Sequence, residues 1–106
     1  MAQNDQDVRL TQPTLKALRF LLETPREGRS GAEISKATKV GSGTLYPMLA
    51  RLETAGWLSS EWELVNPSEV GRPRRRFYKL TAVGQKHTSA ALADLQIPAG
   101  ELAWTF

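Results

Sequence analysis

Apolar positions recur along this chain first at helical and later at strand spacing. Leu15, Leu18 and Leu22 follow i, i+3, i+7, the stripe of an amphipathic helix. That helix is expected to begin near Thr11 to Pro13, where a hydroxyl cap and a first-turn proline favour initiation, and to stop before Thr24-Pro25. Phe20 and Leu21 fall away from the centre of the stripe. They read either as ordinary exposed residues or as a second apolar face that meets another copy of the chain.

Ser30-Gly31-Ala32-Glu33 has capping-box spacing and predicts a short helix from about Gly31 to Thr38, with Ile34 and Ala37 buried. Val40-Gly41 supplies a tight turn. Ser42 is then placed to cap a third helix, from Gly43 to about Ala55, that Gly56 ends in the left-handed conformation. Leu45, Met48, Leu49 and Leu52 share one narrow arc of it and face the core. Thr44 and Arg51 lie on one flank and Tyr46 on the other, while Pro47 disturbs little because its ring meets only Gly43 one turn earlier.

Trp57 to Glu63 reads as a strand with Leu58, Ser60 and Trp62 on one face, and Arg75 to Leu80 as its antiparallel partner. Asn66-Pro67-Ser68 and Gly71-Arg72-Pro73 carry turn residues between them. Thr81 caps a fourth helix, Ala82 to about Leu95, with Thr88, Ala91, Leu92 and Leu95 at helical spacing before Ile97-Pro98 breaks it. The fold class expected is mainly α with a small antiparallel β-hairpin. One domain fits the 106 residues: an N-terminal arm (1–10, expected flexible), a helical and hairpin body (11–81), and a C-terminal helix and tail (82–106).

Charge sharpens the picture. The net charge is only +3, but between Gly71 and Lys79 stand Arg72, Arg74, Arg75, Arg76 and Lys79 with no acid among them. Like charges this dense repel unless something anionic compensates, so the ribbon points to phosphate. Other chemistry is scarce. There is no cysteine, and His87 is the only histidine; it reads as a solvated helix residue, and no acid–base or nucleophile set accompanies it. No cofactor or metal is expected. No apolar run approaches a membrane span, and the polar start MAQNDQD lacks the regions of a signal peptide. The expected place is therefore the cytoplasm, associated with the nucleoid.

A short helix, a turn, a second helix with small polar residues at its start and an arginine-rich hairpin together match what double-stranded DNA requires. A helix meets base edges in the major groove while cations on a ribbon grip phosphates or the adjacent minor groove. Through S-G-T-L-Y-P-M-L-A-R-L-E-T-A-G-W-L at 42 to 58 and G-R-P-R-R-R-F-Y-K-L-T at 71 to 81, the sequence resembles the PadR family of winged helix-turn-helix regulators. The resemblance implies a repressor or similar regulator that binds a palindromic operator as a homodimer, associating through the C-terminal helix and the first helix. It makes Ser42, Thr44, Tyr46 and Arg51 candidates for the recognition element, and Lys39, Arg72, Arg74, Arg75 and Arg76 candidates for the DNA backbone. Alternatives stay open: Ser42 as a mere cap, Tyr46 packed on the second helix, Arg51 paired with an acid.

Phe20, Leu21, Leu92, Leu95, Leu102, Trp104 and Phe106 exceed what one small core absorbs and are the expected dimerisation residues. Only about 25 residues follow Thr81, so the resemblance is to the short subclass. Small members of it bind aromatic molecules between subunits; Trp104 and Phe106 would line such an effector site, and burial of an apolar tail is the simpler account. Rival functions are a winged-helix module that binds an acidic protein and a non-specific DNA-binding protein.

Overall fold

The computed structural model describes residues 8–24 and 26–94. Helix α1 (Gln12–Glu23) starts as expected: Thr11 accepts a hydrogen bond from the Thr14 amide, and Pro13 sits in the first turn. Its buried positions are Thr14, Leu15, Ala17, Leu18 and Leu21, an arc rotated from the expected stripe. Leu22 is only half buried, and Leu21 is wholly buried within its own chain. Leu21 therefore leaves the set of dimerisation residues, because the i, i+3, i+4, i+7 row that meets the core runs through 14, 17, 18 and 21.

Strand β1 (Arg29–Ser30) is too short to show alternation in the sequence. It opens directly into α2 (Gly31–Thr38), where Ser30 and Glu33 form the expected capping box. Ala37 is exposed and Thr38 buried in its place, since 31, 34 and 38 make the row facing inward. The Thr38 hydroxyl can go inside because it donates to the Ile34 carbonyl at 2.6 Å. The turn after α2 centres on Lys39, which takes the left-handed conformation at φ 66°. It is tied by Val40 donating to Thr38 and by Ser35 donating to the Val40 carbonyl at 2.6 Å.

Helix α3 (Ser42–Thr54) is capped by Gly41 without a side-chain hydrogen bond. The capping role expected for Ser42 is thus absent; Ser42 is the first helical residue and is exposed. Leu45, Met48, Leu49 and Leu52 are buried as the spacing requires, and Gly56 adopts φ 85° beyond the helix end. The sheet then forms from β2 (Leu58–Trp62) and β3 (Arg76–Leu80), in the antiparallel order β1-β3-β2 with Leu58 opposite Leu80 and Trp62 opposite Arg76. Between β2 and β3 lies one helical turn, α4 (Pro67–Val70), started by Asn66 accepting from the Ser68 amide and ended by Gly71 at φ 73°. The turn residues expected there are the caps of this element.

Helix α5 (Ala82–Asp94) begins where Thr81 accepts from the Gly84 amide at 2.9 Å. The same hydroxyl donates to the Gly56 carbonyl at 2.6 Å, fixing the helix to the corner between α3 and β2. Gly84 lets α5 lie directly against that corner, since a Cβ there would collide with the Trp57 carbonyl. Gly84, Thr88 and Leu92 form its buried row, and α5 packs on α1. Leu92 is 7% exposed in the single chain, so it too serves its own fold before any partner. Leu95, Leu102, Trp104 and Phe106 lie outside the described residues.

The core joins α1, α2, α3 and the sheet through Leu18, Leu21, Ile34, Leu45, Leu49 and Leu52, with Phe20 and Val8 packed at its edge. Val8 belongs to the segment expected as a free arm. His87 is half buried and stacks on Trp57, ring centroids 5.0 Å apart and 10° from parallel, which replaces the expectation of a solvated residue.

Candidate nucleic-acid interface

Core packing of one α3 face leaves the other outside. Ser42, Gly43, Thr44, Tyr46, Pro47, Ala50, Arg51 and Thr54 are all exposed, the arrangement a helix needs to enter a groove. Lys39 is exposed in the turn just before it. Arg51 makes no ion pair among the described residues, so its pairing with an acid is not found there. Tyr46 combines two readings: it is 46% exposed, yet its ring rests against α2 so closely that a Cβ on Gly31 would overlap it. The glycine opening α2 is thus the seat of the Tyr46 ring.

The hairpin carries its charge differently from the expectation. Arg72 donates two hydrogen bonds to Glu63, at 2.7 and 2.9 Å, a forked charge-assisted pair. The Arg72 hydrogen bonds hold the Glu63 carboxyl down at about 2, against an ordinary 4.5, and Glu63 in turn raises the Arg72 guanidinium above its usual value. Arg76 donates from Nε to the Ser60 hydroxyl at 2.8 Å, and Ser60 donates to Glu53 at 2.6 Å. Arg76 also stands 3.5 Å from the Glu53 carboxylate and 5.0 Å over the Trp62 ring. Two of the four arginines are therefore compensated inside the fold. The inference that the density of charge alone demands an external anion fails for Arg72 and Arg76.

Arg74 and Arg75 differ. Arg74 is exposed and, among the described residues, donates only to the Val65 carbonyl, at 3.1 Å. The Arg75 main chain pairs with Glu63, its amide donating to the carboxylate at 3.2 Å and its carbonyl accepting from the Glu63 amide at 2.8 Å. That pairing carries the ladder one step past β2 and β3 and leaves the Arg75 side chain exposed.

The exposed face of α3 and the arginine edge meet across one cleft of about 400 Å³, where Tyr46 stands opposite Trp62, Arg74, Arg75 and Arg76. Sequence reasoning found the arginines and Tyr46 but not Glu53, Glu63, Ser60 or Trp62. The last had a signal, an aromatic at the outer end of an amphipathic strand. The Glu63 and Arg72 pairing had none, because the segment that holds α4 separates them and only that turn brings them together. Among the described residues no group of acids and histidines could hold a metal ion, and no helix is long and apolar enough to cross a membrane.

A model described as the transcriptional regulator PadR-like family matches residues 27–90, more than half of the chain. No curated protein matches the sequence. Among solved structures, the chain is similar to a PadR family transcription regulator from hypervirulent Clostridium difficile, at 23% identity and TM-score 0.65, covering 81% of this chain and 88% of that one. It is similar to smu.1704 from Streptococcus mutans at 31% identity and TM-score 0.62, with 78% of each chain covered. Similarity in fold extends to S. aureus MepR solved in complex with DNA, at 19% identity and TM-score 0.68, over 86% of this chain and 68% of that one. Some matched proteins are longer; the chain spans 56% of a mutant MepR from a multidrug-resistant S. aureus isolate.

Proposed function

The chain belongs to the PadR-like family of transcriptional regulators, and from that premise we propose that it is a repressor that binds a palindromic operator as a homodimer in the cytoplasm. The observation that carries the proposal is the cleft just described, since it sets an exposed helix face and an arginine edge side by side. That pairing suits a duplex, which presents base edges in one groove and phosphates on either side of it. In this reading Thr44, Ser42 and Arg51 approach bases, Tyr46 completes the recognition element at the edge of the cleft, Lys39, Arg74 and Arg75 neutralise phosphates, and Arg72 and Arg76 shape the ribbon that carries them. Two-fold pairing of subunits would use Phe20, half buried on α1, with Leu95, Leu102, Trp104 and Phe106. A dimer of this kind reads half-sites about one helical turn, roughly 34 Å, apart.

Titration of the full chain with the DNA upstream of its own gene and with a random duplex tests the proposal. A specific regulator prefers the first by roughly 10³-fold or more. Equal affinity for both would make it a non-specific binder, and affinity for neither would leave an acidic protein as the partner. Sedimentation of the same sample reports the dimer.

A further inference from the structure

Of the six large hydrophobic residues most exposed among the described ones, three belong to the hairpin and one to the α3 face opposite it: Trp62 at 54%, Leu64 at 99%, Val70 at 42% and Tyr46 at 46%. Apolar surface of this kind usually scatters. Here Trp62 and Tyr46 stand on the two walls of the same cleft, with Arg75 at its rim.

What faces such a cleft follows from the shape of a duplex. If α3 enters the major groove and the hairpin reaches the neighbouring minor groove, the two elements straddle the one strand that separates those grooves. The cleft between them then meets deoxyribose and phosphate rather than base edges. Deoxyribose presents apolar C–H faces and the phosphates on either side are anionic. The cleft offers the complement, an indole and a phenol ring flanked by guanidinium groups.

We propose that this cleft seats one sugar–phosphate strand of the bound duplex, with the Trp62 ring packed against a deoxyribose. The inference rests on the DNA-binding reading and adds to it a contact that is neither base-reading nor ionic. Trp62 is prepared for the role. Arg76 covers one face of the indole at 5.0 Å and is itself held by Ser60 and by Glu53 of α3, so the ring stays in place while more than half of the residue remains open. Little side-chain freedom is left to lose on binding. On the opposite wall, Gly31 gives the Tyr46 ring the room to stand at the cleft's edge.

An apolar sugar contact has a signature that neither a base-reading nor an ionic contact shares. Sugars do not vary with sequence and carry no counterions, so Trp62→Ala should weaken the upstream and the random duplex by the same factor, about tenfold, and leave the log–log salt slope unchanged. Trp62→Phe, which keeps a flat apolar ring, should lose less. Because Trp62 is exposed, a melting curve should show both variants folded. The wild-type chain labelled with 5-fluorotryptophan gives an independent readout: the fluorine resonance that disappears in Trp62→Phe should shift on addition of either duplex.

A flattened salt slope in Trp62→Ala would mean that the ring acts only by holding Arg76, and loss on the upstream duplex alone would mean base or shape reading; either overturns the sugar contact. A chain that binds DNA with the Trp62 resonance unmoved also overturns it while the DNA-binding reading stands. Failure of the wild-type chain to bind any duplex removes both, and a Trp62 shift with poly-glutamate in its place assigns the cleft to an acidic protein partner.

Discussion

Glu63 and Arg72 close the hairpin at its neck, joined by two hydrogen bonds of 2.7 and 2.9 Å around the α4 turn. The carboxylate also accepts from the Arg75 amide, so one acid sets the path of the segment from which Arg74 and Arg75 project. In the proposed complex an anion at this place in the ribbon would repel phosphate unless neutralised, and Arg72 neutralises it. The pair makes a rigid, locally uncharged base beneath two exposed cations.

The neck should respond to acid. Hydrogen bonding from Arg72 depresses the folded Glu63 pKa to about 2 from 4.5, so its contribution to hairpin order is complete above the ordinary value and is lost as the pH falls through about 2. A carboxyl NMR titration should show this late protonation, and Glu63→Gln should abolish the step while speeding amide exchange in residues 64–75. Both side chains of the pair keep part of their surface in solvent, so salt should weaken the effect. Titration near 4.5 would mean that the fork is not formed in solution.

The two classes of wing arginine should fail differently. Arg75→Ala should weaken upstream and random duplexes alike and flatten the salt slope by about two units in a dimer, roughly one for each lost phosphate contact. Arg72→Ala should also reduce affinity, but it should speed amide exchange in the hairpin, which Arg75→Ala should not. Binding isotherms at several salt concentrations, with exchange measured on the free variants, check both.

Thr44 stands on the exposed face of α3 near its start. Thr44→Ala should lower affinity for the upstream duplex by about 1–3 kcal/mol while leaving random-duplex binding and the salt slope nearly unchanged. Equal weakening of both duplexes would remove Thr44 from base recognition.

Gly84→Ala tests how tightly α5 is set. The added methyl would meet the Trp57 carbonyl, a backbone group that cannot turn aside, and overpacking of this kind costs about 1–3 kcal/mol. Thermal unfolding should show a lower Tm. An unchanged Tm would show that α5 can shift away from the corner.

Much of this fold is legible because burial is periodic. The Leu45 to Leu52 arc, the Ser30 to Glu33 capping box and the Thr81 cap are local signals, and each is found where its residues stand. The errors arise where a helix has more apolar residues than faces to bury. On α1, Leu21 and Leu22 compete for the core, and the packing of α2, α5 and the sheet around α1 decides between them. Ser42 and Gly41 compete for one cap, and Gly41 takes it, its carbonyl accepting from the Thr44 and Leu45 amides. In the interface, residue type revealed the cations, whereas their internal partners depend on the folded path of the hairpin. Glu53 reaches Arg76 from another helix, and Glu63 reaches Arg72 around α4, so neither pairing leaves a trace in spacing.

Lys39 is the only residue other than glycine with positive φ among those described. Glycine would occupy that conformation without the Cβ strain of about 1–2 kcal/mol. The position therefore sets two demands against each other: Lys39→Gly would relax the bend but remove the ammonium group at the entrance to α3. A lysine kept there makes the hinge of the helical pair somewhat costlier to form, and the chain gains a positive charge at the point where α3 begins.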